Sequence, residues 1–292
     1  MTLRTHRPLI GASWMILAGM AFAAINTLTQ YVSINMHIPS TSVALYQYLV
    51  ALVVMLPWLL KVGLRRSLST EHLGQHIFRI FLSVIGIQCW LWALAYPIPI
   101  WQGIALIMTS PLFATLGSGL FLGEKVGAAR WIATLSGFIG AMIILEPWSD
   151  NFQLITLLPL AAAFFWASYS LMVKKLSHHD SPTTMVVYLL ILITPFNLLL
   201  ALPEFTVPQG TGAVMLGLVG LLTAFAQMAI AKAYASADAS FVQPFDNFKL
   251  PINVAAGWLV FGWAPPGRLW LGAAIIVAAT AFITHWEQRA SR

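Results

Sequence analysis

The sequence predicts an all-α integral membrane protein with ten transmembrane helices, and three observations lead to this fold class. Of the 292 residues, 59% are hydrophobic and only 8% are charged, and the mean hydropathy is +0.82. A soluble domain holds about 45 to 50% apolar and about 25% charged residues, so this chain has too much apolar surface for water. The other two observations are a series of apolar runs and a one-sided distribution of basic residues.

Apolar runs recur along the whole chain, separated by charges and by turns that contain proline or glycine. The hydrocarbon core of a bilayer is about 30 Å thick, and about 20 helical residues cross it. The first run follows Arg4 and Arg7 and exceeds the roughly 7 to 15 residues of a signal-peptide core, so we expect it to remain as a helix. The predicted spans are residues 9–31, 42–60, 77–95, 100–122, 129–146, 155–174, 183–202, 212–233, 239–261 and 267–286.

Basic residues indicate the orientation, because Lys and Arg close to the ends of spans are retained in the cytoplasm. With the N-terminus inside, the outer connections hold only Arg268 of the 15 basic residues, and Lys249 lies within a span. The remaining 13 of the 15, Arg79 among them, fall in cytoplasmic segments. We therefore expect both termini in the cytoplasm of a bacterial inner membrane. The net charge of +6 then reflects topology and not a nucleic-acid partner.

A weak internal repeat divides the chain. The sequence ALAY at residues 93–96 returns as AKAY at 231–234, and Pro111 is matched by Pro251. Five helices per unit place the two units in opposite orientations, so the sequence predicts an inverted repeat with a binding site between the halves. The predicted halves are residues 1–147 and 148–292.

The end of each half carries a recognisable pattern. In the first half, Pro111 is followed by Leu122-Gly123-Glu124, then by Arg130-Trp131 and Gly137-Phe138-x-Gly140. This pattern resembles the EamA repeat of the drug/metabolite transporter superfamily, and the resemblance covers nearly the whole chain. The second half departs from it with Trp263 in place of the usual turn glutamate. The resemblance implies ten helices, cytoplasmic termini and transport of small organic solutes, commonly outward.

The ninth span contains the candidate substrate site. On a helical wheel, Gln243, Asp246, Lys249 and Asn253 lie on one side, within an arc of about 120°. A charge at the membrane centre costs about 2.5 to 3.5 kcal/mol on insertion scales, so this side must face protein or a water-filled cavity. The alternative is an ion pair that only neutralises itself. Other candidate cavity residues lie in neighbouring spans: Asn26, Gln88, Trp92, Trp166, Tyr169 and Gln227.

Histidines are the only group that suggests a metal site. His72 and His76 are four residues apart, and His178 and His179 precede Asp180. All of them fall in cytoplasmic connections, where we expect solvated side chains, so neither a metal nor a cofactor is predicted. The single cysteine, Cys89, excludes an intrachain disulfide.

These features favour a secondary active transporter that works by alternating access. We expect it to export a small polar or zwitterionic metabolite, such as an amino acid, an amino-acid derivative or a metallophore. The alternative is an importer of a vitamin or a nucleoside-like cofactor. An intramembrane enzyme is less favoured, because the chain lacks H-E-x-x-H, G-x-S-x-G and G-x-x-x-x-G-K motifs.

The expected partners are the lipid bilayer and a small-molecule substrate, with the protein as a monomer or homodimer. An incoming anion that competed for Lys249 would free Asp246 to accept a proton, which makes proton coupling or exchange a hypothesis.

The predicted orientation can be tested by cysteine labelling in intact cells. In a Cys89→Ser background, Asp150→Cys and Glu204→Cys should react with a membrane-impermeant thiol reagent, because both positions lie in predicted outer connections. Protection of both positions, with labelling only after lysis, would reverse the orientation.

Overall fold

The computed structural model is helical and describes residues 8–63, 68–121, 127–150, 152–177, 179–236 and 242–290. Three short 3-10 helices accompany the α-helices: Leu154–Leu157, Leu202–Glu204 and Gln243–Phe248. The α-helices within the described chain are α1 (Pro8–Asn35), α2 (Ser40–Val62), α3 (Leu73–Leu94), α4 (Ile100–Ile107), α5 (Ser110–Phe121), α6 (Ala128–Leu145), α7 (Leu158–Leu176), α8 (Pro182–Ala201), α9 (Gly210–Ser236), α10 (Lys249–Phe261) and α11 (Gly267–Ala290).

Eight helical segments of the described chain are long and apolar enough to cross a membrane, against the ten spans predicted. The protein is therefore a multi-pass membrane protein. The ninth predicted span falls short because it begins as a 3-10 helix and continues as the 13-residue α10. The tenth falls short because its apolar part covers only Gly267–Ile283.

Prolines explain why the fourth and ninth spans are interrupted. A proline has no N–H and clashes with the carbonyl group four residues earlier, so an α-helix is disturbed in the turn before it. The fourth span breaks between α4 and α5, just before Pro111, and the ninth changes from 3-10 to α geometry just before Pro251. These two prolines are the matched pair of the predicted repeat, so both interruptions occupy equivalent positions.

The most extensive helix contacts join the two predicted halves. They pair α1 with α9, α6 with α11 and α3 with α7, and each pair takes one helix from residues 1–147 and one from 148–292. In the predicted repeat, the first span (α1) corresponds to the sixth (α7), and the third (α3) corresponds to the eighth (α9). The α1–α9 pair of helices is therefore equivalent to the α7–α3 pair. The halves are interlocked and neither forms a separate bundle.

The bundle has two chemically different ends. We call the end with Lys61, Lys174 and Lys175 the basic face, and the end with Glu146, Asp150 and Glu204 the acidic face. Towards the acidic face, α4 packs against both α7 and α10 and so connects the two sets of helices. Towards the basic face, α5 packs on α6 and α7, whereas the 3-10 helix Gln243–Phe248 packs on α1.

Two glycines allow α6 and α11 to approach closely. A Cβ atom at Gly140 would lie 2.7 Å from the carbonyl oxygen of Gly272, and one at Gly272 would lie 2.6 Å from the carbonyl oxygen of Gly140. Because one obstacle in each case is backbone, a rotamer change of neighbouring side chains would not make room for a Cβ atom. Small residues of this kind are typical of close helix pairs in membranes.

We expect Gly140→Ala to lower the melting temperature of the purified protein in detergent, because α6 and α11 must separate. Overpacking of this kind costs about 1 to 3 kcal/mol. The matched control is Gly217→Ala in α9, where an added Cβ would meet no heavy atom within 4 Å. Equal melting temperatures for both variants and the wild type would show that the α6–α11 contact is loose.

Candidate functional site

A chain of hydrogen bonds joins three helices in the interior of the bundle. The Asn26 side-chain amide of α1 donates to Oδ1 of Asn253 in α10 at 3.0 Å, and the Trp90 indole N–H of α3 donates to Oδ1 of Asn26 at 3.2 Å. Asn253 in turn donates to the backbone carbonyl of Lys249 at 2.7 Å. The side chains of Asn26, Trp90 and Asn253 are buried. The structure thus brings together two predicted site residues, Asn26 and Asn253.

Asp246 and Lys249 form an ion pair at the junction between the 3-10 helix and α10. The distance between Lys249 Nζ and Asp246 Oδ2 is 2.6 Å. Side chains three residues apart eclipse each other in a 3-10 helix, which places the two groups directly above one another. The helical wheel of the sequence analysis assumed α geometry here and therefore spread them further apart. Gln243 starts this 3-10 helix, but its side chain lies outside the described part of the structure.

The ion pair is partly open although it belongs to an apolar helix. The Lys249 and Asp246 side chains are 24% and 35% exposed. On α10, the exposed residues Pro251, Ala255, Trp258 and Leu259 lie together on one side, whereas the exposed Val260 near the end of the helix lies apart from them. Lys249 lies about 135° from the centre of that side at about 100° per residue. We infer that Lys249 is directed away from lipid, into the interior of the bundle.

Gln227 of α9 is likewise an exposed polar residue that lies away from the apolar exposed side of its helix. Five large apolar residues exposed on this helix lie on one side, and they are Val214, Leu218, Leu221, Phe225 and Met228. Gln227 is also exposed, yet it lies about 140° from the centre of that side. Its amide therefore faces a space within the bundle.

Tyr234 connects these observations. It lies two turns after Gln227 on the same side of α9, and the charge of Asp246 acts on it electrostatically. We infer that the space next to Gln227 and the space next to the ion pair belong to one region between the helices. We call this region, bounded by Gln227, Tyr234, Asp246 and Lys249, the interior cavity.

The interior cavity is closed on the side of the acidic face. The hydrogen bond between the Asn26 and Asn253 side chains closes the cavity at one level. Above it, Nε2 of Gln30 donates to the backbone carbonyls of Tyr96 and Ile98 at 3.2 and 2.8 Å. Near the basic face, α5 packs on α6 and α7 whereas the 3-10 helix packs on α1, and we infer that the cavity opens in that direction.

Gln88 and Trp92, two predicted cavity residues on α3, face elsewhere. Nε2 of Gln88 donates to Oδ1 of the buried Asn197 in α8 at 2.8 Å. Trp92 is 50% exposed and lies on the same side of α3 as the exposed Phe78 and Phe81. We therefore leave both out of the candidate site, since α3 turns them away from Asn26 and Asn253.

Trp166 and Tyr169 of α7 lie in the interface with α3. A Cβ atom at Gly86 would lie 2.7 Å from Nε1 of Trp166, so the indole packs directly over this glycine. The hydroxyl of Tyr169 accepts a hydrogen bond from Arg79 at 3.2 Å. Both residues hold α7 against α3, and their sharing a cavity with Asn253 stays a prediction.

A polar network around Arg79 was missed by the sequence analysis. Arg79 is fully buried and donates to Nδ1 of His76 at 3.1 Å and to the carbonyl oxygen of Met185 at 2.7 Å, besides Tyr169. Because Nδ1 of His76 accepts this bond, Nε2 carries the proton and donates to Asp180 at 2.9 Å. The expected solvated positions of His76 and Arg79 are therefore wrong. The missed signal is that Arg79 lies within the third apolar run.

Asp180 supplies the negative charge of this network. Burial raises the pKa of Asp180, but hydrogen bonds from His76 and from the Thr70 hydroxyl outweigh burial and hold the pKa below its usual range. The network ties α3 of one half to α7 and α8 of the other near the basic face. His178 lies outside the described residues, and the described residues contain no group of three His, Cys, Asp or Glu that would hold a metal ion.

A small cavity opens at the acidic face. Its volume is about 160 Å³, and Gln102, Gln153, Glu146 and Arg268 contribute to its walls. Arg268 pairs with Glu146 at 2.7 Å and so links α11 to the end of α6. Pockets for small organic ligands typically have volumes of about 300 to 1,000 Å³, so this cavity is too small for one.

Comparison with known proteins gives full-length matches. A riboflavin transporter of Vibrio cholerae serotype O1 is 70% identical, covering 98% of this chain and 97% of its own. A riboflavin transporter of Rhizobium johnstonii is 50% identical, covering 98% and 94%. An S-adenosylmethionine uptake transporter of Rickettsia felis is 27% identical, covering 97% and 95%.

The family comparison agrees with the two-part pattern of the sequence. The model of the EamA-like transporter family matches residues 9–146 and, a second time, residues 153–285. Together these two matches include every helix that contributes to the interior cavity. The chain belongs to the EamA-like transporter family.

Proposed function

We propose that this protein is a riboflavin carrier that takes the vitamin up across the inner membrane. The observation that carries the proposal is the 70% identity to a riboflavin transporter over nearly the full length of both chains. The proposal replaces the export of a polar or zwitterionic metabolite by the alternative of vitamin import. The 27% identical relative named as an uptake transporter favours the same direction. We regard the protein as a carrier and not as an enzyme.

The chemistry of the interior cavity suits riboflavin. The vitamin is uncharged at neutral pH, and its ring system and ribityl chain present both donors and acceptors of hydrogen bonds. Asp246 and Lys249 cancel each other's charge at 2.6 Å, so the cavity offers no net charge from this pair. The amide of Gln227 can both donate and accept, which matches an uncharged polar ligand.

The arrangement of open and closed ends supports alternating access. We infer that the basic face lies in the cytoplasm, because Lys and Arg are retained there. The cavity would then be open to the cytoplasm and closed to the outside. Riboflavin entry from outside would require the Asn26 to Asn253 hydrogen bond and the α4–α10 contact to separate while the basic end closes.

Gln227→Ala should weaken riboflavin transport in proteoliposomes. The exposed amide is expected to bind the substrate directly, and a hydrogen bond to an uncharged group contributes about 0.5 to 1.5 kcal/mol. The expected result is an increase in KM of about two- to tenfold, at a similar maximal rate. The measurement is saturable uptake and counterflow of riboflavin.

Trp92→Phe is the matched control, because Trp92 lies on the outward apolar side of α3 and should leave KM unchanged. Wild-type protein that gives no saturable riboflavin counterflow would refute the proposed function. If riboflavin is transported but Gln227→Ala leaves KM unchanged, the function stands and the position of the site is wrong.

A further inference from the structure

We propose that Asp246 makes the carrier selective for free riboflavin by excluding flavins that carry a phosphate on the ribityl chain. This inference rests on the proposed function and names a specificity-determining residue within the same site. It assigns Asp246 a role in selecting the substrate, in addition to neutralising Lys249.

The geometry supports a role for the pair towards ligands. A pair that only neutralised itself would be best sealed from other groups, yet both side chains remain partly exposed on the side of the helix that faces the cavity. A buried ion pair is often no more stabilising than apolar residues of similar size, so stability alone gives little reason for its presence. An exposed Lys249, by contrast, is a group that a bound anion would contact.

Phosphorylated flavins share the ring system and the ribityl chain of riboflavin, and differ by a phosphate of about −1.5 to −2 charge at neutral pH. A cavity that binds riboflavin therefore fits most of the phosphorylated molecule. Lys249 without Asp246 would attract the phosphate, since ammonium groups bind phosphate as point charges. Asp246 lies 2.6 Å from Lys249. A phosphate that contacts the ammonium group of Lys249 therefore also comes close to the Asp246 carboxylate.

Charge repulsion of this kind discriminates between the two flavins. Like charges brought together in an interface oppose binding strongly, which corresponds to a selectivity of about tenfold or more. The amides of Gln227 and Asn253 carry no charge, so they do not discriminate between the two flavins in this way. Among the groups that bound the described cavity, Asp246 is the one that carries a negative charge.

The selectivity has a consequence for net uptake. If phosphoryl transfer to the ribityl 5′-hydroxyl consumes riboflavin in the cytoplasm, its product meets a cavity that is open to the cytoplasm. Exclusion by Asp246 would keep that product from leaving through the same carrier. Phosphorylation would then drive continued uptake of the free vitamin.

The test compares riboflavin and riboflavin 5′-phosphate in proteoliposomes containing the full-length protein. For each variant, the inhibition constant of riboflavin 5′-phosphate is divided by the KM for riboflavin, so that each variant is its own reference. The wild type and Asp246→Glu should exclude the phosphate form. Asp246→Asn should lower the ratio at least about tenfold, because Lys249 is then available to the phosphate.

Two further variants keep the test decisive if Asp246→Asn folds poorly. The double variant Asp246→Asn, Lys249→Met removes both charges, and the exchanged pair Asp246→Lys, Lys249→Asp keeps the site neutral. The exchanged pair keeps a carboxylate beside the ammonium group and should retain the wild-type ratio, whereas the double variant loses the repelling charge and should give a ratio between those of the wild type and Asp246→Asn. An unchanged ratio in folded Asp246→Asn, or a wild-type ratio in the double variant, would overturn the inference. Riboflavin transport by the wild type, measured in the same experiment, tests the proposed function separately.

Discussion

Lipid hydrocarbon offers neither hydrogen bonds nor solvation for charge, and this constraint determines how each polar group inside the bundle is arranged. Arg79 is fully buried and lies close to the basic face, where it is compensated by Asp180 through a neutral His76. The Asn26 and Asn253 amides satisfy each other across two helices. Asp246 and Lys249 are paired but remain partly exposed. That difference distinguishes a group that holds helices together from one that is available to a ligand.

The polar contacts and the close helix packing act on the same interfaces. The α3–α7 pair contains both the glycine at position 86 under Trp166 and the Arg79 network, so it is fixed at two levels of the membrane. The contact between α4 and α10 lies only towards the acidic face, and no comparable contact joins α5 to the 3-10 helix among the described residues. Helices that are fixed to each other therefore surround a pair of interrupted spans, and under the proposed alternating access we expect these spans to move.

The sequence was sufficient for the fold class, because long apolar runs have few alternatives to membrane-spanning helices. It also identified the polar side of the ninth span, since Asp246, Lys249 and Asn253 cannot all face lipid. It could not identify partners, because helical periodicity gives a side chain's direction on its own helix but not which helix it meets. Gln88 thus meets Asn197 and Tyr169 meets Arg79, whereas Trp92 faces outward. The 3-10 geometry before Pro251 likewise depends on packing that no local pattern reports.

The central claim is that riboflavin binds in the interior cavity, next to Gln227 and the ion pair. The most direct measurement is the rate of thiol labelling of Gln227→Cys, in a Cys89→Ser background, with and without riboflavin. The comparison position is Gln153→Cys, in the small cavity at the acidic face. The account predicts that riboflavin slows labelling at position 227 and leaves position 153 unaffected. Protection at position 153 together with unchanged labelling at position 227 would contradict it.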